Sequence, residues 1–503
     1  MKHVVTKLLV LLMAVTVAFV SCEGPEGKIG PQGDKGDKGD KGDAGENGAD
    51  YPTDVVLQNH SITPALVKKL SGFESVEVFS LISSEDKLIG APSYTFGGTA
   101  DGSGLVKATD GYMLLVNHEQ NFSVSRITLD KTFKPVGGEY ILNSDGGLWK
   151  LCSATLATVE EHGFGPIYIT CGESSVESRV HAISPFASAA NASVSRELAG
   201  LGRWSAENAV PLPKTAYPGK TVVLIGDDDA GGTAGGQLAM YLSGEVGDLD
   251  KGKLYALRRT DLNMREMDFV EDATATSVEF VEIANHTTLT GAQINSEVLA
   301  LNGMAFGRVE DIDYRKDGFG REIYFNVPGH TGNADRSKYG RTYKLVLDAT
   351  DPLKGTLQLV LDGDNKTTGK ARLFQNVDNI VVTKNYLYVQ EDPNGYGDET
   401  HDSYIYQYNL DTKELKPVFE LDHHRDANDP LGDKFMSRSS AKGSWEYGAM
   451  TDISGIIGID DVFMLCIQPH TWLRPEFAGV DGGALRASER QGSQIIIVKG
   501  LAR

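Results

Sequence analysis

A two-strand unit recurs six times along this chain, and that recurrence limits the fold more than any other feature. In each unit a modest strand begins at or near a polar residue. The chain turns, and a strongly apolar strand runs back to end in polar groups. The return strands are YMLLVNHE, PIYITCGE, TVVLIGDDD, EIYFNVPGH, NYLYVQED and VFMLCIQPH, ending at Glu119, Glu173, Asp229, His330, Asp392 and His470. The strands before them are ADGSGLVKA from Ala100, LCSATLAT from Leu151, ENAVPLP from Glu207, EDIDYR from Glu310, DNIVVT from Asp378 and TDISGI from Thr451. Their β-branched and aromatic content fits buried strands. A lone hairpin is too thin to bury both faces, so a tandem set predicts an all-β, six-bladed β-propeller over residues 51–503. A two-sheet sandwich is the runner-up.

Hairpin geometry then gathers charge. The start of a first strand lies beside the end of its return strand, which brings Glu207 near Asp227, Asp228 and Asp229, and Asp378 near Glu391 and Asp392. Glu310 and Asp311 approach the fourth return-strand end, and Cys152 approaches Cys171. Arrayed around one axis, these ends meet at one mouth of the channel, where so many carboxylates repel unless cations neutralise them. Carboxylates favour hard divalent cations, whereas a thiolate such as Cys171 invites a transition metal. A Cys152–Cys171 disulfide is the competing outcome, with Cys466 left over. Arg308, two residues before Glu310, can fork onto a phosphate or pair with a carboxylate. Cations with an arginine suit a phosphoryl group as negative charge builds on it, which points to phosphate-ester hydrolysis. His118, His330 and His470 also fall at return-strand ends, as a general acid, a ligand or ordinary rim residues.

The net charge of -21 excludes nucleic acid and anionic membrane surfaces as partners. Residues 1–21, basic and then apolar, read as a lipoprotein signal peptide, with Cys22 in AFVSC as the lipidated residue. The expected location is outside the cytoplasm, on the periplasmic face or the cell surface, with the membrane reached only through the N-terminal lipid. From Gly24 to Gly48 glycine takes every third position, so residues 22–50 form a short collagen-like stalk. It serves as a spacer of about 80 Å when extended, or as a route to a homotrimer.

The ordered segments NHE (117–119), LCSATLAT, YITCGES, GRWSAENAV (202–210), LIGDDD (224–229), GRVEDIDY (307–314), DNIVVTKNYLYVQED (378–392), GAMTDISG and FMLCIQPHTW resemble the PhoX-type alkaline phosphatases. The resemblance implies a six-bladed propeller that hydrolyses phosphomonoesters with iron and calcium in its channel. It makes Cys171 the iron-binding thiolate, Glu207 and Glu310 metal-cluster carboxylates, and Arg308 the phosphate-contacting arginine. Glu119, Asp228 and Glu391 match further acidic positions. Three departures stand out: Gly172 directly follows Cys171, Met450 stands where a glutamate is expected, and the leader lacks a twin arginine. The rival readings are a non-enzymatic surface propeller that binds a glycan or protein around structural calcium, and a lactonase- or phytase-like metal hydrolase.

Overall fold

The computed structural model describes residues 54–503 apart from 230 and 232–234. The signal peptide, the lipidated Cys22 and the Gly-X-Y stalk lie outside the described residues. Among the described residues no helix is long and apolar enough to cross a membrane.

The fold is all-β and propeller-like, with four separate blades and one nine-stranded sheet. The first blade is a four-stranded meander from Ala100–Ala108 to Pro135–Leu142, and the second has three strands from Leu151–Ala157. The nine-stranded sheet begins with Ala206–Pro211, runs outward to Thr276–Glu282, pairs there with Lys354–Asp362 and returns inward to Ile312–Tyr314. A five-stranded blade starts at Val377–Val382, and the last blade starts at Glu446–Asp452. The chain ends close the last blade, because Glu77–Ser83 pairs with the C-terminal strand Gln494–Lys499.

The return strands behave as their composition demands: Thr221–Asp227 and Val462–Gln468 are buried along their whole length. The two halves of the nine-stranded sheet share one apolar core, in which Leu224 and Met240 join Phe306, Phe325 and Tyr343. Phe325 and Tyr343 stack with ring centroids 5.2 Å apart. Truncating one such ring would cost roughly 3–5 kcal/mol.

The strands that open the units form an inner ring. Each packs on the next in cyclic order, and the Glu446–Asp452 strand comes back against Ala100–Ala108. Two glycines permit this closeness. A Cβ on Gly102 would lie 2.5 Å from Ala154 N, and one on Gly226 would lie 2.5 Å from the Glu310 carbonyl oxygen. A side chain at Gly102 would push two inner strands apart, and one at Gly226 would push the Thr221–Asp227 return strand from the segment that carries Glu310.

Candidate metal and phosphate site

Each inner strand carries a bulge near the channel mouth. Pairing skips from Ala100 to Ser103, Leu151 to Ala154, Ala206 to Ala209, and Val377 to Ile380, so two inner residues oppose one on the return strand. Glu310 and Asp311 share Asn326 in the same way. A bulge re-aims its first side chain, and here those residues are Asp101, Cys152, Glu207, Glu310 and Asp378. The last inner strand differs: its bulge falls on Gly448 and Ala449, and its acid, Glu446, lies two residues earlier.

Ligand atoms of three groups converge within 4.8 Å of one another: Asp101, Cys152 and Glu207; Glu119, Cys152 and Glu173; and Glu207, Glu310 and Asp378. The residue just beyond a return strand supplies the outer rim, as Glu119, Glu173 and Asp228. Burial, reinforced by the other carboxylates, pushes Asp101, Glu207, Glu310 and Asp378 well above the ordinary carboxylate range. Burial does the same to the Cys152 thiol, with Glu207 as the next cause. Asp101 Oδ1 and Asp378 Oδ1 are buried with no hydrogen-bond partner. Orphaned carboxylate oxygens facing other acids are expensive unless a cation meets them. An oxygen-rich set with one thiolate therefore fits bound metal.

Arg308 lies at the edge of this ring with a left-handed backbone (φ 71), a conformation that costs roughly 1–2 kcal/mol for a side-chain-bearing residue. The loop that imposes it is clamped from behind. Buried Glu266 accepts from Gly307 N at 2.8 Å and Ser337 N at 2.9 Å. Arg308 Nη1 reaches Asp228 Oδ1 at 3.2 Å and Glu310 Oε1 at 3.3 Å, while Nη2 donates to Asn394 Oδ1 at 2.9 Å. These acids raise the guanidinium above its ordinary value against the pull of burial, so it stays charged.

Of the expected site residues, Glu119, Glu207, Asp228, Glu310 and Arg308 come together. Two do not. Cys171 opposes the bulge at Cys152 and Ser153, and its side chain packs between blades among Ala206, Ala209 and Val223. Residues opposing three of the other bulges also reach the next blade, through hydrogen bonds: Asn117 donates to the Cys152 carbonyl, Asn326 to the Asp378 carbonyl, and Gln390 to the Gly448 carbonyl. The thiol that faces the acids is Cys152, and Cys152, Cys171 and Cys466 are free cysteines with no disulfide between them. Glu391 is likewise turned away. It accepts from Gln375 N and Tyr404 N at 2.8 Å each, contacts His401 Nε2 at 2.9 Å and accepts from Tyr406 Oη at 3.1 Å. The neighbouring Asp392 is the acid whose charge acts on Arg308, Asp378 and Glu446.

Sequence reading did not single out Asp101, Glu173 and Glu446 as members of this cluster; it left Cys152 open between a disulfide and a metal site with Cys171, and placed Asp378 in the acidic ring without naming it a ligand. The signal was present in the triplets ADG, LCS, AEN, VED, VDN and WEY, each with an acid or thiol at its centre. Met450 belongs to an apolar core cluster, and Glu446, earlier on the same strand, meets His470 Nε2 at 3.1 Å. His118 is a core residue instead, with Nε2 2.8 Å from Ser125 Oγ.

No protein-family model matches the chain, and no curated protein sequence does. Among solved structures it is similar to Pseudomonas fluorescens PhoX in complex with vanadate, a transition state analogue. That likeness has a TM-score of 0.56 and 15% identity over 88% of this chain and 98% of that one. The PQQ-bound aldose sugar dehydrogenase of Streptomyces coelicolor gives 0.36 at 9% identity, covering 84% of this chain and 98% of that one. The GH62 α-L-arabinofuranosidase catalytic domain of Coprinopsis cinerea gives 0.30 at 10%, covering 68% and 96%. At these values only the first likeness bears on this chain, and what it establishes is the propeller-like fold.

Proposed function

We propose that this protein is an exported, metal-dependent phosphomonoester hydrolase working at the mouth of a six-bladed propeller. In this reading the nine-stranded sheet is two blades joined at their outer edges. The carrying observation is the ring itself: acids from successive inner strands, two of them with orphaned oxygens, meet at an arginine held in a strained backbone. The similarity to a phosphatase described with vanadate agrees with it.

Asp101, Cys152, Glu207, Glu310 and Asp378 would hold the metal, with Cys152 rather than Cys171 as the thiolate. Bound metal would supply electrostatic stabilisation of the phosphoryl oxygens and an activated water. Ligand softness favours a transition metal at the thiolate and a hard divalent cation among the carboxylates, and the PhoX resemblance implies iron and calcium for these two places. Arg308 contributes a fixed fork for two phosphoryl oxygens, and its ties to Asp228 and Asn394 set its orientation. Glu266 keeps the loop beneath it in place. The N-terminal leader, Cys22 and the Gly-X-Y run are proposed to export, anchor and space the enzyme from the membrane.

The test is hydrolysis of p-nitrophenyl phosphate by metal-loaded protein, with and without vanadate. Turnover that vanadate inhibits and Arg308→Ala abolishes is the expected result. Metal-loaded protein without turnover on phosphomonoesters would overturn the assignment.

A further inference from the structure

The three ligand groups differ in how their charge is met. In two of them a carboxylate oxygen is left orphaned, Asp101 Oδ1 in one and Asp378 Oδ1 in the other, where Arg308 meets Glu310 but neither Glu207 nor Asp378. In the third, made of Glu119, Cys152 and Glu173, both carboxylates already have a cation. Lys150 Nζ lies 3.0 Å from Glu119 Oε1 and 3.5 Å from Glu173 Oε2. Neutral donors converge on the same two oxygens, since Gln120 Nε2 donates to Glu119 Oε1 at 2.7 Å and the Cys152 thiol to Glu173 Oε2 at 3.3 Å.

The lysine is built into position. Its backbone N donates to Ser174 Oγ at 2.8 Å, and its carbonyl accepts from Glu173 N at 2.9 Å. The stem therefore leaves the start of the second inner strand beside the two acids it serves. A divalent ion at this group would share its ligands with an ammonium, and two like charges within one coordination distance repel strongly. A lysine at this spacing is a fixed monovalent substitute for an ion.

We propose that the Lys150 ammonium permanently occupies the cation position framed by Glu119, Cys152 and Glu173, so that metal binds only at the other two groups. This rests on the metal-centre reading above. It makes the enzyme need fewer ions than its number of ligand groups, with part of the neutralising charge supplied by the chain.

The experiment is elemental analysis of the full chain after exhaustive loading with calcium and iron, for the wild type, Lys150→Met and Lys150→Arg. Lys150→Met should hold about one more divalent ion per chain than the wild type, and Lys150→Arg should match the wild type. Should Lys150→Met fold only with excess divalent cation, judged by circular dichroism, the exchange of ammonium for ion is supported. A Lys150→Met protein that folds and binds no additional ion, or that stays unfolded in excess cation, overturns the proposal while leaving a metal-loaded wild type intact. A wild type that binds no metal at all overturns the metal centre itself, a separate failure.

Discussion

Two sets of buried carboxylates in this molecule have opposite surroundings. Glu391 and Glu266 each lie in a nest of hydrogen-bonding groups. Glu391 is met by two backbone N–H groups, His401 and Tyr406. Glu266 is met by the N–H groups of Gly307 and Ser337 and by Tyr343 Oη. Asp101, Glu207, Glu310 and Asp378 instead face one another and a thiol. A buried acid surrounded by donors is complete and holds the fold together. One surrounded by acids is incomplete and waits for a cation. The contrast separates the two sets where burial alone cannot, because Asp101, Glu207 and Glu310 are as buried as Glu391 and Glu266, and only Asp378 is half-buried.

Activity should break along this line most sharply. Glu207→Gln and Glu310→Gln should each lower kcat/KM on p-nitrophenyl phosphate by roughly 10²–10³-fold and reduce bound metal. Glu391→Gln, measured alongside, should keep its metal content. An equal loss of metal in Glu391→Gln would erase the distinction. The next largest effect is on stability. Glu391→Ala leaves four donors unmatched and should cost about 3 kcal/mol or more in denaturant unfolding. Asp378→Asn should instead raise the melting temperature of metal-free protein, since it removes a repelling charge; a lowered one would count against the repulsion.

Acidity gives a third, smaller effect with a definite sign. The ring acids have folded-state values above their unfolded ones, so as pH rises the unfolded chain loses these protons first. Metal-free stability from these groups is greatest below the unfolded carboxylate range and falls as pH climbs through the raised values. The loss is about 1.4 kcal/mol for each tenfold difference in proton affinity. Melting temperatures of chelated protein should drop as pH rises above the ordinary carboxylate range, and added metal should flatten the slope. A metal-free protein more stable at the higher pH would contradict this. The smallest contrast lies between two cysteines of one hairpin. Cys152→Ser should weaken iron binding, whereas Cys171→Ala should cost only about 1 kcal/mol of packing and leave iron in place.

These comparisons also show what could be read from the sequence. The tandem hairpins gave the all-β, propeller-like fold, since apolar return strands such as VFMLCIQ have no alternative to burial. The joining of Thr276–Glu282 to Lys354–Asp362 could not be foreseen, because it pairs the outer-edge strands of two units and the hairpin pattern specifies only their inner strands. At the site, Glu119, Glu207, Asp228, Glu310 and Arg308 were legible from strand-end positions. Cys171 and Glu391 were misplaced by a single step of the two-residue strand period, which reverses the face a side chain occupies. The bulges decide that step, and nothing in LCSATLAT or DNIVVT announces where a bulge falls.

The central claim is that acids from separate blades are held together by bound metal. Elemental analysis and melting temperature of one purified sample, before and after chelation, test it most directly. Metal bound to the chain, with a melting temperature that falls on chelation and recovers on reloading, is the predicted result. A metal-free protein whose melting temperature does not change in chelator would contradict it.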